Sequence, residues 1–215
     1  MKNKPSEWIA IADLMSGVMA VVMLLLVLAV LQQGASELRH QEELTAAKGR
    51  PGRIDPLAQV MQGLSQTIRQ RGDMELMALD TRTSRLTLRD SVFERGSACL
   101  TAEAQAAVEA VRAQVAGFMV NNHKARIVVE GYTDNIPVRQ PVTDYRRFCT
   151  VYDDNFTLSA ARAREARRAL IGTAFGENVA KRIVVAGYGD SRPLEGLGAG
   201  DARNRRVEVQ FSLDD

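Results

Sequence analysis

Hydrophobic positions divide the chain into two kinds of territory. Residues 8–31, WIAIADLMSGVMAVVMLLLVLAVL, are apolar almost throughout, and no charge occurs from Leu14 to Leu31. As a helix this run is roughly 36 Å long at ~1.5 Å per residue, enough to cross a hydrocarbon core about 30 Å thick with some tilt. Beyond it the apolar positions become short and periodic. In PLAQVMQGLSQTIRQ (56–70), Leu57, Val60, Met61, Leu64 and Ile68 recur at helical spacing. Two short strands follow, MELMAL (74–79) and RLTLR (85–89), then an amphipathic helix over 101–119 with Thr101 as its N-cap. A strand RIVVEG (126–131), a polar loop to about 156, a helix over 158–172, a strand RIVVAG (182–187), a Gly-rich loop and an alternating strand RRVEVQFSL (205–213) complete the pattern. The order β-β-α-β-α-β predicts an α+β fold, an α/β sandwich with helices on one face of a mixed sheet.

This pattern gives a working division: a tail (1–7), a span (8–31), a linker or plug with a helical stalk (32–71, broken by GRPG at 49–52), and a folded domain (72–215). A cleaved leader would have a shorter apolar core and small residues before the cut, whereas Gln33 stands two places before Ala35, so the span is expected to stay as an anchor. Lys2 and Lys4 on one flank and Glu37 on the other orient it with the N-terminus in the cytoplasm and the domain outside the inner membrane. Two cysteines, Cys99 and Cys149, fall in that exterior part; they are either a disulfide or two buried thiols.

Charge excludes more than it suggests. Lys and Arg number 28 against 26 Asp and Glu, so no nucleic-acid partner is expected. His40 and His123 are isolated, neither cysteine has a catalytic partner motif, and GLGAG (196–200) lacks the lysine of a phosphate loop. The chain therefore reads as a protein that is not an enzyme and holds no cofactor or metal.

Two features ask for a function. The first is Asp13, a carboxylate inside the apolar run. An ionised carboxylate in lipid costs at least a few kcal/mol, but desolvation favours the protonated form, so such a group can take up and release a proton. Asp13, Ser16, Gly17 and Ala20 share a small, polar helix face that a neighbouring helix could approach. The second is an internal echo: IVVEGYTDNIPV (127–138) and IVVAGYGDSRPL (183–194) share seven of twelve positions. Each is a strand running into GY-x-D-x-x-P, which predicts two strand ends opening on one sheet edge, carrying Asp134 and Asp190.

IADLMSGVMAVVM resembles the transmembrane motif of MotB-type stator subunits. That resemblance makes Asp13 the ion-carrying residue, for H⁺ or Na⁺, and implies a homodimer inside a ring of a multi-span MotA/ZorA-like partner. VFERGSACLT (92–101), GYTDNIPV (131–138), NFTLSAARA (155–163) and NRRVEV (204–209) resemble the blocks of the OmpA-like peptidoglycan-binding domain, over roughly residues 72–213. It implies that Asp134 and Arg162 clasp the free amine and carboxylate of a diaminopimelate side chain, with Asn155 and Arg205 in the matching blocks. An Arg fork suits a carboxylate independently of any family. The short segment between span and domain favours the ZorB subunits of Zorya anti-phage systems over flagellar MotB. A passive wall tether would explain the domain but not Asp13. The loop 139–154 is long for the family and could cover the groove or be tied to Cys99.

Overall fold

The computed structural model describes residues 55–173 and 175–214; of the preceding part it describes only Met15, Val18, Met19, Met23 and Leu24, all helical. Apart from these five, the tail 1–7, the expected span 8–31 with Asp13, and the linker to residue 54 lie outside the described residues. Among the described residues, no helix is long and apolar enough to cross a membrane.

A compact unit spans residues 54–215. Its first helix, α1 (Pro56–Arg71), starts with proline in the first turn, where no amide partner is lost. The Asp55 carboxylate accepts the Leu57 amide at 3.0 Å, and Gly72 ends the helix in the left-handed region at φ 77°. The sequence placed this helix in the stalk. Instead Val60, Met61, Leu64 and Ile68 are buried in the core, against α2 (Ala102–Asn121). The folded unit therefore begins near residue 54 and not at 72, because an apolar stripe of this width needs a partner surface.

β1 (Met77–Asp80) and β2 (Arg85–Arg89) form an antiparallel hairpin, and a 3-10 turn at Asp73–Glu75 occupies the start of the expected first strand. After α2 come β3 (Ala125–Tyr132), a one-turn helix α3 (Tyr145–Phe148), the long α4 (Asn155–Ile171), another single turn α5 (Glu177–Ala180), β4 (Ile183–Gly187) and β5 (Arg206–Leu213). The sheet order is β1-β2-β5-β3-β4; only β3 and β4 are parallel, so the sheet is mixed. α2 packs on α1 and α4, and α4 covers β3 and β4. Along β5, Val207, Val209 and Phe211 enter the core beneath the helices, while Arg206, Glu208 and Gln210 alternate with them.

Candidate functional site: a charged groove at the end of β3

The internal echo is the register of the parallel pair. Ile127 lies beside Ile183, Val128 beside Val184, Val129 beside Val185 and Gly131 beside Gly187. The two glycines admit α4. A Cβ on Gly131 would lie 1.9 Å from the Ser159 carbonyl oxygen, and one on Gly187 would lie 2.6 Å from Ala160. The start of α4 thus rests on both strand ends. The Gly189 amide donates to Ser159 Oγ at 2.9 Å, and Asp154 caps the helix by accepting the Thr157 amide at 2.6 Å.

Beyond β3 the chain turns into a groove of about 570 Å³. Thr133 and Asn135 amides donate to the carbonyls of Gly189 and Ala199, which pins the loop at 2.8 and 3.1 Å. Asn155, first residue of α4, donates from Nδ2 to the carbonyls of Asp134 (3.2 Å) and Ile136 (3.1 Å). Its amide therefore shapes the loop that carries Asp134.

Four charges meet in the groove. Arg205 donates to Asp134 at 2.6 Å and pairs with Asp90 at 2.9 Å; Arg162 pairs with Asp90 at 3.4 Å. Asp134 and Arg162 line one groove, but each takes a different partner. Asp90 connects the two arginines and was not among the expected residues. Its place follows from strand pairing: Arg89 lies opposite Arg206, so the residue after β2 faces the residue before β5.

Arg162 is 3% exposed. Its Nε donates to the Ser97 carbonyl at 3.0 Å, and its guanidinium stands 5.2 Å from the centre of the Phe93 ring. Burial lowers its pKa, opposed by the Asp90 charge, yet a guanidinium stays protonated. Hydrogen bonding to Asp90, and then to Asp134, raises the Arg205 pKa against the opposing effect of burial. The buried Thr133 hydroxyl, which also lines the groove, has no partner among the described residues. A groove with carboxylates and guanidinia alternating at its floor can hold a ligand end that bears one ammonium and one carboxylate.

The wall opposite the β3 loop is braced. Cys99 and Cys149 are joined as a disulfide. Around it Ser97 Oγ and the Ala98 amide both donate to the Phe148 carbonyl at 3.0 Å, and Tyr152 donates to the Gly96 carbonyl at 2.6 Å. The long loop 139–154 is thus tied to the 93–101 segment, and Tyr152 joins the groove lining. Asp190, the echo partner of Asp134, lies outside the groove.

On the face of the sheet that Arg206 and Glu208 occupy, Tyr132 and Tyr188 stack at 5.4 Å, with Arg206 over one ring at 3.9 Å and Arg192 over the other at 3.7 Å. Arg206 pairs with Glu208 at 2.6 Å, and Tyr132 donates to Glu130 at 2.8 Å.

Residues 92–206 match the OmpA family, and the chain belongs to it. No curated protein matches the chain. Among solved structures, it is similar to a MotB-like protein from Desulfovibrio vulgaris, at 23% identity over 74% of this chain and 94% of that one, with a TM-score of 0.52. The cell wall anchor of the T6SS from Pseudomonas aeruginosa matches at 25% identity over 71% and 97%, with a TM-score of 0.50. The periplasmic domain of Helicobacter pylori MotB aligns at 21% identity over 61% and 74%, with a TM-score of 0.45.

Proposed function

We propose that this chain is a stator-like subunit of an ion-driven motor in a bacterial inner membrane, held to peptidoglycan by its OmpA-like domain. The observation that carries the reading is the quartet Asp90, Asp134, Arg162 and Arg205 in one groove. It supplies both charges that the zwitterionic end of an uncrosslinked diaminopimelate requires, and Arg162 is rigidly held for a carboxylate. The carboxylates take the ammonium. The single-pass anchor positions Asp13 to relay protons, with Na⁺ the other candidate, against a ring of a multi-span partner in which two copies of this chain sit. Wall attachment gives the turning ring a fixed point to push on. The short span-to-domain segment favours a ZorB-like role in anti-phage defence over a flagellar one.

Two measurements test the two halves. Wild-type chain is expected to sediment with purified peptidoglycan, and Arg162→Ala to lose that binding; retention by the variant would remove the groove from the account. Vesicles carrying this chain and the multi-span protein encoded beside it, loaded with a pH dye, are expected to take up protons. Deleting residues 36–52 guards against a closed plug, and Asp13→Asn is expected to abolish the flux. Wall binding without flux in any form would leave a passive tether, a reading that the likeness to a cell wall anchor favours.

A further inference from the structure

The charges around the groove do not balance. Its lining carries four arginines, Arg95, Arg139, Arg162 and Arg205, against two aspartates, Asp90 and Asp134. A zwitterionic ligand end is neutral and leaves two positive charges over. The excess lies at Arg95 and Arg139, which are exposed and have no ion-pair partner among the described residues. Neither is on a free-standing loop. Arg95 belongs to the segment that the disulfide and the Phe148 carbonyl bonds tie to loop 139–154, and Arg139 lies where that loop begins, three residues after Ile136, whose carbonyl Asn155 holds.

We infer that Arg95 and Arg139 form a rim subsite for two further carboxylates on the same ligand, so that the groove selects an anionic peptide over a bare zwitterion. This rests on the peptidoglycan reading and narrows it. An uncrosslinked stem peptide has the matching composition: beyond the zwitterionic end of its diaminopimelate it carries the α-carboxylate of the preceding D-glutamate and a terminal carboxylate. Amidation of the glutamate removes one of these charges. Crosslinking converts the diaminopimelate ammonium into a neutral amide and removes the group that the aspartates hold. The rim pairs are solvent-exposed and therefore screened by salt, unlike those of Arg162.

The test uses the full chain in detergent and three probes: free meso-diaminopimelate, N-acetyl-L-Ala-γ-D-Glu-meso-diaminopimelate, and the same tripeptide with its glutamate α-carboxyl amidated. Calorimetry is expected to show the acidic tripeptide binding about tenfold tighter than free diaminopimelate, with the amidated form between them. In the Arg95→Gln/Arg139→Gln variant the preference is expected to fall to within about twofold, and raising salt should erode it in the wild type. An unchanged preference in that variant, while free diaminopimelate still binds, overturns the rim subsite and leaves the wall-binding reading standing. Failure of wild type to bind any of the three probes overturns both.

Discussion

The exits of β3 and β4 carry nearly the same residues, GYTDNIP and GYGDSRP, yet among the described residues it is the first that lines the charged groove. The strands run in parallel and in register, and each carries a glycine beneath α4 at or next to its last residue. They differ in neighbours. β3 is interior, and β5 lies against it with Val207 opposite Gly131 and Arg206 opposite Tyr132. That brings Arg205, just ahead of β5, to Asp134, while β2 on the far side of β5 contributes Asp90. Among the described residues β4 is an edge strand, with no second neighbour to supply a cation to Asp190. The motif makes a turn with an aspartate; its position in the sheet makes the turn a site.

The largest contrast between the two exits should lie in their glycines. Gly131→Ala would press a methyl group into the Ser159 carbonyl in the middle of the sheet, whereas Gly187→Ala meets Ala160 at the edge. Overpacking of this kind costs about 1–3 kcal/mol and occasionally more. Gly131→Ala is expected at or above the upper end, about 3 kcal/mol, and Gly187→Ala clearly below it, by denaturant unfolding. Equal losses would mean that α4 shifts as a body over both exits, and the interior strand would have no special constraint.

The aspartates should separate next. Asp134→Asn removes the charge that receives Arg205 and, on the proposed reading, the ligand ammonium. A hydrogen bond to a charged group contributes about 1.5–3 kcal/mol, so diaminopimelate affinity is expected to fall on the order of 10–100-fold. Asp190→Asn is expected to change it less than about twofold. A comparable loss at Asp190 would show that both exits contact the ligand, against the placement of Asp190 outside the groove.

The same contrast marks what could be read from the chain beforehand. The strands, the three long helices and their order follow from apolar periodicity, which is local. Asp134, Arg162, Asn155 and Arg205 stand in recognisable blocks, and all four line one groove. Asp90 does not stand out in RLTLRD, because its role is set by antiparallel pairing with β5, more than a hundred residues away. The β2–β5 register is the signal that locates it: with Arg89 opposite Arg206, Asp90 falls beside Arg205. Helix α1 reads as part of the stalk because its apolar stripe does not say which surface covers it. The one-turn helices α3 and α5 are too short to show a period. Asn155 sits in a motif block, but its part in holding backbone carbonyls is visible only once the β3 loop is placed.

The smallest expected difference concerns the tyrosines of the echo. Tyr132 is buried between Tyr188 and Arg206, whereas its partner is only partly covered. Burial, together with the hydrogen bond to Glu130 and the nearby Glu208 charge, raises the Tyr132 pKa well above the ordinary value near 10. The sign follows from which state ionises first. Below pH ~10 the phenol is neutral folded or unfolded and favours neither. Above it the unfolded chain loses the proton while the folded chain keeps it, so stability falls as pH rises towards the folded pKa. One such group costs about 1.4 kcal/mol by pH 11. Tyr152, raised by burial against the opposing Arg162 charge, adds to the slope in the same direction. Tyr132→Phe loses the Glu130 hydrogen bond at every pH, so the informative quantity is the change in slope between pH 9 and pH 11, read from urea unfolding. The variant is expected to be the flatter of the two. An identical slope would mean that the Tyr132 phenol ionises freely in the folded protein, and that the stacked pair is as open at the interior exit as at the edge.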